Sequence, residues 1–516
     1  MPHDELDLVG VTEPEIVFGL VGALGTPMEE VVAWLSDELR QVSYEAEAIR
    51  LSDFLAAYDD LDTPPPADGD PPDVRFNALM NRGNQLRVKL DRGDALAMHA
   101  AAHIQQQRPG NEPPMLERRA FILRQLKHPE EVLLLRRTYG DAFHLIGVYS
   151  PQEVRSRYLQ QQMGLSAEKE QALLQRDAGE ELKLGQQVTK TYHLADVFLE
   201  ARGWEDAEAE STCGQIRRYI DLLFGRRILT PSLDEYGMFL ASAAALRSAD
   251  LSRQVGAALL TPSGEVLGLG ANEVPAPGGG QYWPGPGDNR DFVLGVDSNE
   301  MIKGECLREI MEHMDPDWAE LLEEVKTERL DEASSLLSGT RLMNLTEFGR
   351  AVHAEMEALL AAARVGIPVK GSTLYTTTFP CHNCAKHIVG AGIARVVYIE
   401  PYAKSLADRL HGDAIAFALE QDSAPDGRVP FASFHGIAPR RFSRLFSSVE
   451  ADGARVPRKE KGGGVRTKPV GLRMAARPLT HIDREALVAQ FLDTEIHAVA
   501  DLGEEQEDGE AHLEKR

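Results

Sequence analysis

The chain has 516 residues, of which 43% are hydrophobic and 26% carry a charged side chain. This length exceeds one ordinary domain of about 100–200 residues, and the hydrophobic fraction can fill a sizeable core, so global disorder is excluded. With 55 Lys and Arg against 81 Asp and Glu, the net charge is −26. Such a balance disfavours a long track for a nucleic-acid backbone, because that track needs clustered Lys and Arg.

The number of cysteines and the sequence of the amino end indicate the cellular compartment in which the protein is expected. Four cysteines are too few for a disulfide scaffold and indicate a reducing environment. No apolar run reaches the ~18–20 residues of a membrane span. Residues 1–12 form an acidic tail without the basic and apolar regions of a signal peptide. We therefore expect a cytoplasmic protein that does not associate with a membrane.

The first predicted elements follow this tail. Residues 15–21 are a short apolar run, which is typical of a buried strand, and a glycine-rich turn follows at 22–26. Apolar residues recur at helical spacing through residues 28–40. A strand, a glycine turn and a helix in this order open a nucleotide-binding α/β domain.

Predicted strands and helices continue to alternate up to residue 205. Residues 59–73 are rich in proline and acidic residues and are predicted to be a solvated loop. The next predicted strands are 120–126, 142–149 and 196–199. A proline at the front of 151–159 favours a helix there. We predict one α/β domain over 13–205 and a linker over 206–230.

A second domain is predicted from residue 231 to residue 445. A helix rich in Ala and Leu, 233–248, precedes two strands that are joined by the hairpin turn Pro262-Ser263-Gly264. Further predicted elements are a helix at 353–364, a strand at 372–378, a helix from Cys381 and a strand at 395–400. An insertion, 273–349, interrupts the domain, and 446–516 form a tail. The expected fold is a three-layer α/β/α sandwich around a mostly parallel sheet.

The strongest chemical signal is His353-Ala354-Glu355 followed by Pro380-Cys381-His382-Asn383-Cys384. This is H-x-E followed by P-C-x-x-C, the signature of the zinc-dependent deaminases. The imidazole of His353 and the thiolates of Cys381 and Cys384 supply three ligands and leave one tetrahedral position for water. Zinc lowers the pKa of such a water, so that hydroxide is available near neutral pH. Glu355 cannot easily share the metal and is expected to move protons.

Each part of this signature also has a simpler interpretation. A C-x-x-C pair alone could be a redox pair or half of a structural zinc site. A structural site needs further Cys or His ligands, and Cys213 and Cys306 lie far away in the sequence. His353 alone would be an ordinary packed histidine. The order of the residues, joined by one predicted helix and one predicted strand, favours catalytic zinc.

The motifs around the signature resemble the deoxycytidylate deaminase family. Arg247-Ser248 with Arg253-Gln254-Val255-Gly256 is similar to the start of that family's pattern, and Gly270-Ala271-Asn272 is similar to its glycine-x-asparagine motif. The resemblance implies that Asn272 contacts the sugar, although a turn asparagine is the alternative interpretation. It also implies substrate contacts for Arg253, Arg350 and Lys404. Glu357 departs from the family, which has asparagine two residues after the catalytic glutamate.

The front of the chain resembles a P-loop nucleoside or nucleotide kinase fold over 13–205. A kinase-like domain ahead of such a deaminase is similar to the bacterial anti-phage dCTP/dCMP deaminases. Further similar stretches are Asp288-Asn289-Arg290-Asp291, Asp297-Ser298-Asn299-Glu300, Glu347-Phe348-Gly349-Arg350 and Glu400-Pro401-Tyr402-Ala403-Lys404-Ser405. This resemblance implies the conversion of dCTP or dCMP to the uracil form, which drains the dCTP pool during phage infection.

The P-loop itself departs from its template. G-x-x-x-x-G-K-[ST] requires a lysine before the hydroxyl residue, whereas Gly25 runs directly into Thr26. Phosphoryl transfer is therefore not expected, because the β- and γ-phosphates would lose the charge of that lysine. Binding of a nucleotide effector at Gly22, Gly25 and Thr26 stays open, and so does a purely structural glycine turn.

We expect Glu355 to take a proton from water, to deliver it to N3 of cytosine and later to protonate the leaving ammonia. The alternatives are a housekeeping dCMP deaminase, a nucleotide sensor that only binds, and a deaminase acting on a polynucleotide. The net charge and the low aromatic content disfavour the polynucleotide.

Three further expectations concern partners and the insertion. Relatives of this fold assemble as closed oligomers, so a homo-oligomer is expected. The basic stretch 455–477 could contact a small regulatory RNA, or it could be a solvated tail. The insertion is expected near the mouth of the pocket as a lid or a subunit contact, and a surface excursion without such a role is the alternative. It is expected to contain one amphipathic helix carrying Trp318, Leu321, Leu322 and Val325.

Overall fold

The structure is a computed structural model, and it divides into two compact units. The first unit consists of Met1–Pro231 with His435–Arg516, and the second of Ser232–Phe434. The residues that the structure describes are 13–108, 117–178, 186–338, 340, 342–343, 345, 347–400, 405–417, 427–449, 453, 455–460, 463–473 and 481–496. The predicted tail at 1–12 lies outside them. No helix in these ranges is both long enough and apolar enough to cross a bilayer.

The secondary structure alternates strands and helices in both units. The strands are β1 (Ile16–Gly22), β2 (Glu45–Arg50), β3 (Arg119–Arg124), β4 (Phe143–Tyr149), β5 (Val197–Glu200), β6 (Gly256–Leu260), β7 (Val266–Ala271), β8 (Thr373–Thr378), β9 (Arg395–Glu400), β10 (Ile415–Phe417), β11 (Val429–Ser433) and β12 (Gly436–Ile437). The helices are α1 (Met28–Arg40), α2 (Pro72–Lys89), α3 (Ala95–Gln106), α4 (Pro129–Tyr139), α5 (Gln152–Gln161), α6 (Ala167–Ala178), α7 (Val188–Tyr192), α8 (Asp206–Leu223), α9 (Leu233–Ala245), α10 (Asp291–Leu294), α11 (Ser298–Met314), α12 (Glu323–Leu336), α13 (Ala354–Arg364), α14 (His382–Gly390), α15 (Ala407–His411) and α16 (Pro439–Phe446). Short 3-10 helices cover Leu51–Ala57, Gly140–Ala142 and Trp318–Glu320, and residues 481–496 form the C-terminal helix.

The first unit is built on a sheet with the order β12-β5-β4-β1-β3-β2. Strands β1 to β5 run parallel, and β12 pairs antiparallel with β5 at one edge. Every residue of β1 is buried, which explains its unbroken apolar sequence, because a central parallel strand is covered on both faces. β3 and β4 flank β1 on opposite sides. The carboxyl ends at this switch point are where ligands bind in open α/β sheets.

The boundary of the first unit differs from the predicted one. The predicted linker 206–230 contains α8, and its Ile216, Tyr219 and Ile220 are buried in the core against α1. Residues 435–446 also belong to this unit, since β12 pairs with β5. The C-terminal helix lies within the predicted tail, yet Ile482 is buried. The amphipathic helix α8 covers apolar surface of the sheet, and Glu485 of the C-terminal helix accepts hydrogen bonds from Arg108 and Tyr139. Composition alone did not reveal either role.

The second unit is built on a sheet with the order β10-β11-β9-β8-β6-β7. β6 pairs antiparallel with β7 and β8, whereas β8, β9, β10 and β11 run parallel. Leu374 of β8 packs in the cluster that contains α13 and α14, while the next residue, Tyr375, faces Gly237 of α9. Because successive strand residues point to opposite faces, helices cover both sides of the sheet. This arrangement is the expected three-layer α/β/α sandwich, and the α/β class is confirmed in both units.

The insertion 273–349 folds differently from its prediction. The single amphipathic helix expected around Trp318 is divided into the 3-10 helix Trp318–Glu320 and the separate helix α12. Trp318 is buried, but the side chain of Leu322 is 72% exposed. Leu321 and Leu322 adopt extended backbone between the two helices, which breaks the continuous apolar stripe that the spacing suggested.

Candidate active site

Two helix starts bring the three sulfur and nitrogen ligands together. His353 caps the amino end of α13, and Cys381 caps the amino end of α14. The Cys381 thiol accepts the backbone N–H of Cys384 at 3.5 Å, as a capping side chain does. The positive ends of the two helices therefore meet at one point, where they favour negatively charged sulfur.

The ligand atoms have the spacing that zinc requires. Nδ1 of His353 lies 3.3 Å from Sγ of Cys381 and 3.4 Å from Sγ of Cys384. All three ligand atoms lie within 4.8 Å of one another. Zn–N and Zn–S bonds of about 2.0 and 2.3 Å at a tetrahedral angle would separate nitrogen from sulfur by roughly 3.5 Å. Both nitrogen–sulfur distances therefore fit a tetrahedral zinc ion.

The protonation of the two thiols differs. A hydrogen bond with Cys384 lowers the pKa of the Cys381 thiol to about 3. A hydrogen bond and attraction from His353 act in the same direction, whereas burial opposes them. The hydrogen bond with Cys381 raises the pKa of His353 to about 9. The shared hydrogen bond and burial raise the pKa of the Cys384 thiol well above its usual range. The cluster thus favours the thiolate at Cys381 and stabilises positive charge between the three ligands.

Glu355 lies next to this cluster on the first turn of α13. It is 4% exposed, and burial raises the pKa of its carboxyl above the usual value. Attraction from His353 and, more weakly, a hydrogen bond with the Cys384 thiol act in the opposite direction. A carboxyl that is buried beside the metal ligands but is not one of them can exchange protons with a reactant at the metal.

The cluster opens into a cavity of about 350 Å³ that His353, Glu355 and Cys381 line on one side. The cavity wall includes Arg253, Asn272 and Arg350, three of the four residues for which a substrate contact was predicted. The insertion also lines it, with Asp291, Asp297, Asn299, Glu300, Lys303, Met343 and Leu345. None of these insertion residues was predicted as a contact. The matching stretches around residues 291 and 299 were the sequence signal for them.

Asn272 has a local structural role. Its side-chain oxygen accepts the backbone N–H of Val255 at 2.7 Å, and its amide donates to the carbonyl of Arg253 at 2.8 Å. Its own carbonyl accepts the hydroxyl of Ser248 at 2.7 Å. The residue therefore ties the end of β7 to the loop that enters β6. One amide hydrogen and one oxygen lone pair remain for a ligand in the cavity.

The cationic residues around the cavity are held by carboxylates. Arg350 pairs with Asp291 at 2.8 Å, and Arg253 lies 3.6 Å from Glu400. Lys303 is buried, contacts Glu300 and donates to the carbonyl of Met343 at 3.1 Å. Lys404, the fourth predicted substrate contact, lies outside the described residues.

Glu357, which departs from the family pattern, does not line the cavity. Its carboxylate accepts a hydrogen bond of 2.6 Å from Arg364 at the other end of α13. Both residues therefore lie on one side of the helix, and the charge of Glu357 is neutralised by an ion pair away from the metal ligands.

The glycine turn of the first unit is closed by the protein itself. The backbone N–H of Leu24 donates to the carboxylate of Asp177 at 2.6 Å, and the N–H of Thr26 donates to the carbonyl of Ala23. A β-carbon on Gly25, whose φ is +85°, would stand 2.9 Å from the carbonyl oxygen of Arg155. Gly22, Gly25 and Thr26 thus form a tight turn that is packed against α5 and α6. A carboxylate already uses one of the amides on which an effector phosphate was expected.

The basic stretch predicted as an RNA contact makes internal bonds where the structure describes it. Arg473 is buried and donates to the carbonyls of Leu445 and Ser447 at 2.5 and 2.8 Å. Arg466 donates to the carbonyl of Gly225 at 3.0 Å. Residues 474–477 lie outside the described residues.

Comparison with known proteins gives matches in the second unit. Residues 231–400 match the family model described as the cytidine and deoxycytidylate deaminase zinc-binding region. The deoxycytidylate deaminase of Enterobacteria phage T2 is 48% identical over 54 residues, which are 10% of this chain and 29% of that protein. The human deoxycytidylate deaminase is 24% identical over 218 residues, which are 42% of this chain and 84% of the relative.

Among solved structures, the dCMP deaminase of cyanophage S-TIM5 in complex with dCMP and dUMP matches 40% of this chain and 99% of that chain. The identity is 18%, and the TM-score is 0.23. The chain spans less than a third of the length of the phage T2 relative.

Residues 231–400 are thus similar to the zinc-binding region of the cytidine and deoxycytidylate deaminases. Together with the ligand cluster of His353, Cys381 and Cys384, this match confirms the prediction that zinc is the cofactor. The kinase-like interpretation of the first unit stays a prediction.

Proposed function

We propose that the protein is a zinc-dependent deaminase that converts a deoxycytidine nucleotide, dCMP or dCTP, to the deoxyuridine nucleotide. The observation that carries this proposal is the position of Glu355. Its buried carboxyl lies beside the His353, Cys381 and Cys384 cluster and lines the same cavity of about 350 Å³. A cavity of this size is in the range of small-molecule sites.

The reaction adds water across the N3–C4 bond of cytosine and releases ammonia from C4. Zinc, when bound by His353, Cys381 and Cys384, supplies Lewis-acid activation of water. Glu355 accepts a proton from the water as the C4–O bond forms, and it delivers this proton to N3. Glu355 then takes the proton of the new C4 hydroxyl and transfers it to the amino nitrogen. The C4–N bond breaks as the C4=O bond forms, and ammonia leaves. One buried carboxyl serves both transfers, because it lies next to the ligands without binding the metal.

Recognition of the nucleotide is assigned to the rim of the cavity. Phe379 lies two residues before Cys381 and lines the cavity, so it is placed to contact the flat base. Arg253, Lys303 and Arg350 offer positive charge for phosphate groups, each exchanging a carboxylate partner for the ligand. Asn272 offers its remaining amide hydrogen to the sugar, and Lys404 is proposed as a further phosphate contact.

The insertion is proposed to select the substrate. Ten of its described residues line the cavity, including Lys303 and Asn299. Asn299 donates to the carbonyl of Leu345 at 2.9 Å, which ties two parts of the insertion together at the rim. Such a wall limits access by a polymer, which favours a free nucleotide over a polynucleotide substrate.

For the biological role we propose depletion of dCTP in defence against phage infection. The support is the resemblance to the anti-phage deaminases and the presence of a separate α/β unit ahead of the deaminase unit. A housekeeping dCMP deaminase is the alternative role for the same chemistry.

The test is ammonia release by the purified, zinc-replete chain from deoxycytidine, dCMP, dCTP, CMP, CTP and a cytosine-containing single-stranded oligonucleotide. Turnover of dCMP or dCTP, well above that of the ribonucleotides and the oligonucleotide, is expected. Turnover of the oligonucleotide alone would refute the nucleotide proposal. The Cys384→Ser variant controls for contaminating deaminases.

Cells that express the protein before and after phage infection separate the two roles. A fall in dCTP only on infection supports the defence role. A steady turnover of dCMP without infection supports the housekeeping role.

A further inference from the structure

The first unit contains a second cavity, of about 330 Å³, at the carboxyl ends of its parallel strands. Arg50 ends β2 and Arg124 ends β3, and the two residues are register partners. Both line the cavity, together with Glu29 on the first turn of α1 and Arg75 on α2. The cavity therefore lies beside the switch point at β1, where open α/β sheets bind ligands.

Positive charge is concentrated at this cavity. Arg124 donates to Glu29 at 2.6 Å, and Arg50 donates to the same carboxylate at 3.2 Å. Hydrogen bonding from Arg124, with weaker attraction from Arg50 and Arg75, holds the pKa of Glu29 below its usual value. Three guanidinium groups thus gather around one carboxylate, in a chain whose net charge is −26. Asp70 also lines the cavity, so the three arginines stand against two carboxylates. The remaining positive charge attracts an anion.

Arg75 is the most available of these groups. Its side chain forms no hydrogen bond or ion pair within the described part of the chain, and the residue is exposed at the cavity. Lys127, by contrast, is already neutralised, because it pairs with Asp177 at 2.6 Å. Arg75, Arg50 and Arg124 are therefore the groups that can bind an anion, and Arg50 and Arg124 would share Glu29 with it.

Apolar side chains also line the cavity and form its floor. Leu51, Leu55, Phe76, Leu79, Met80 and Leu96 line it. Phe76 and Met80 pack with Leu24, Leu159 and Leu165 in one cluster, so this floor is part of the fold. An aromatic ring and flexible methionine side chains next to arginine groups suit a ligand that joins a flat ring to a phosphate.

We propose that this cavity binds a nucleoside 5′-monophosphate, with the phosphate on Arg50, Arg75 and Arg124 and the base on the floor around Phe76. A phosphate monoester carries about −1.5 to −2 charges at pH 7 and offers three acceptor oxygens, which suits three guanidinium donors. This assignment differs from binding on the amides of the glycine turn, where Asp177 already accepts the Leu24 N–H. The site lies in the first unit and does not depend on the proposed deaminase function.

The test measures binding of AMP, GMP, dTMP and UMP to the full-length protein by calorimetry. The matching nucleosides and inorganic phosphate serve as partial ligands. At least one monophosphate is expected to bind, and its nucleoside and inorganic phosphate should each bind at least about 10-fold more weakly. Inorganic phosphate that binds as tightly as every nucleotide would overturn the proposal, and so would the absence of monophosphate binding up to about 1 mM.

Variants assign that binding to this cavity. Arg75→Ala and Arg50→Ala should each weaken it about 10-fold to 100-fold, the expected effect of losing a charge-assisted hydrogen bond. Arg40→Ala removes an exposed arginine that pairs only with Asp37 among the described residues and should leave binding unchanged. Unchanged affinity in the Arg50→Ala/Arg75→Ala double variant would refute the assignment. Zinc content and deaminase assays on the same proteins check that the second unit is intact.

Discussion

Gly270 of β7 lies directly against Ala354 on the first turn of α13. A β-carbon on Gly270 would stand 2.0 Å from the carbonyl oxygen of Ala354 and 2.5 Å from the backbone nitrogen of Ala358. Only glycine allows this distance, since the opposing atoms are backbone and cannot rotate away. The contact sets the position of the helix turn that carries His353 and Glu355.

Gly270→Ala is therefore expected to displace the start of α13. The overlap should cost about 1–3 kcal/mol of unfolding free energy and should weaken zinc binding. Thermal unfolding and metal analysis measure both effects. Gly304→Ala is the matched control, because Gly304 is helical with open space around its Cα, and this change should be neutral or slightly stabilising. Equal zinc content and melting temperature in both variants would contradict the argument.

Cys384→Ser should lose the metal. Its sulfur is one of three ligands, so the chain should fall from about one zinc ion to nearly none, together with its activity. Atomic absorption on dialysed protein provides the measurement. Cys213→Ser is the control, since Cys213 lies on α8 in the first unit. A Cys384→Ser protein with its full zinc content would exclude the assigned ligand set.

Glu355→Ala should keep zinc and fold but lose turnover. General acid–base groups contribute typically ~10²–10⁴-fold, and here one carboxyl serves several transfers, so the loss should reach the upper end. Deamination of dCMP and dCTP by the zinc-replete variant is the assay. Glu357→Gln tests a neighbouring acid that pairs with Arg364, and it should retain most of the activity. Turnover by Glu355→Ala within about 10-fold of wild type would refute the acid–base role.

No phosphoryl transfer from ATP is expected. The glycine turn lacks the P-loop lysine, and the Asp177 carboxylate occupies the Leu24 amide that would otherwise face phosphate. The measurement is transfer of labelled γ-phosphate to nucleosides and to nucleoside monophosphates. Transfer that persists in purified Glu355→Ala protein would show that the turn is a working phosphate site.

Arg108 is expected to hold the C-terminal helix to the first unit. It donates to Glu15 at 2.5 Å and to Glu485 of that helix at 2.6 Å, and all three side chains are buried. Arg108→Met leaves both carboxylates without their guanidinium, which should cost about 3–5 kcal/mol. Thermal unfolding and limited proteolysis near residues 481–496 test this. Arg118→Met, which breaks an exposed pair with Glu13, should change stability little.

The pH dependence gives the Arg108 prediction a second measurement. Burial would raise the pKa of Glu15, but the hydrogen bonds from His481 and Arg108 outweigh it and hold the pKa below the ordinary value of 4.5. The stabilisation from Glu15 is therefore present above pH 4.5 and is lost as the pH falls through the lowered pKa. In Arg108→Met, Glu15 has lost one of the groups that lower its pKa, so this variant has less of that stabilisation to lose. The difference in unfolding free energy between wild type and Arg108→Met should therefore narrow on acidification. A constant gap would contradict this.

The zinc site was predictable from the sequence because its chemistry is local. His353 and Glu355 are two residues apart at one helix start, and Cys381 and Cys384 are three apart at another. Each pair therefore converges through the geometry of a single turn, and the flanking strand and helix patterns indicated that both turns meet at one sheet. The buried strand β1 was predictable for the same reason, since five apolar residues interrupted only by glycine need no distant partner to be recognised.

Only the tertiary structure decided the contacts between distant segments. The carboxylate that closes the glycine turn comes from Asp177, 153 residues after Leu24, and Glu485 reaches Arg108 across 377 residues. The arginines of the second cavity end different strands and gather only when β2 and β3 pair in register. Such contacts leave no periodic trace in the sequence, because a single polar residue that bonds across the fold has the same local pattern as one that faces solvent. The chemistry of the zinc site was therefore set by neighbouring residues, whereas the closure of the glycine turn and the charge of the second cavity were set by packing.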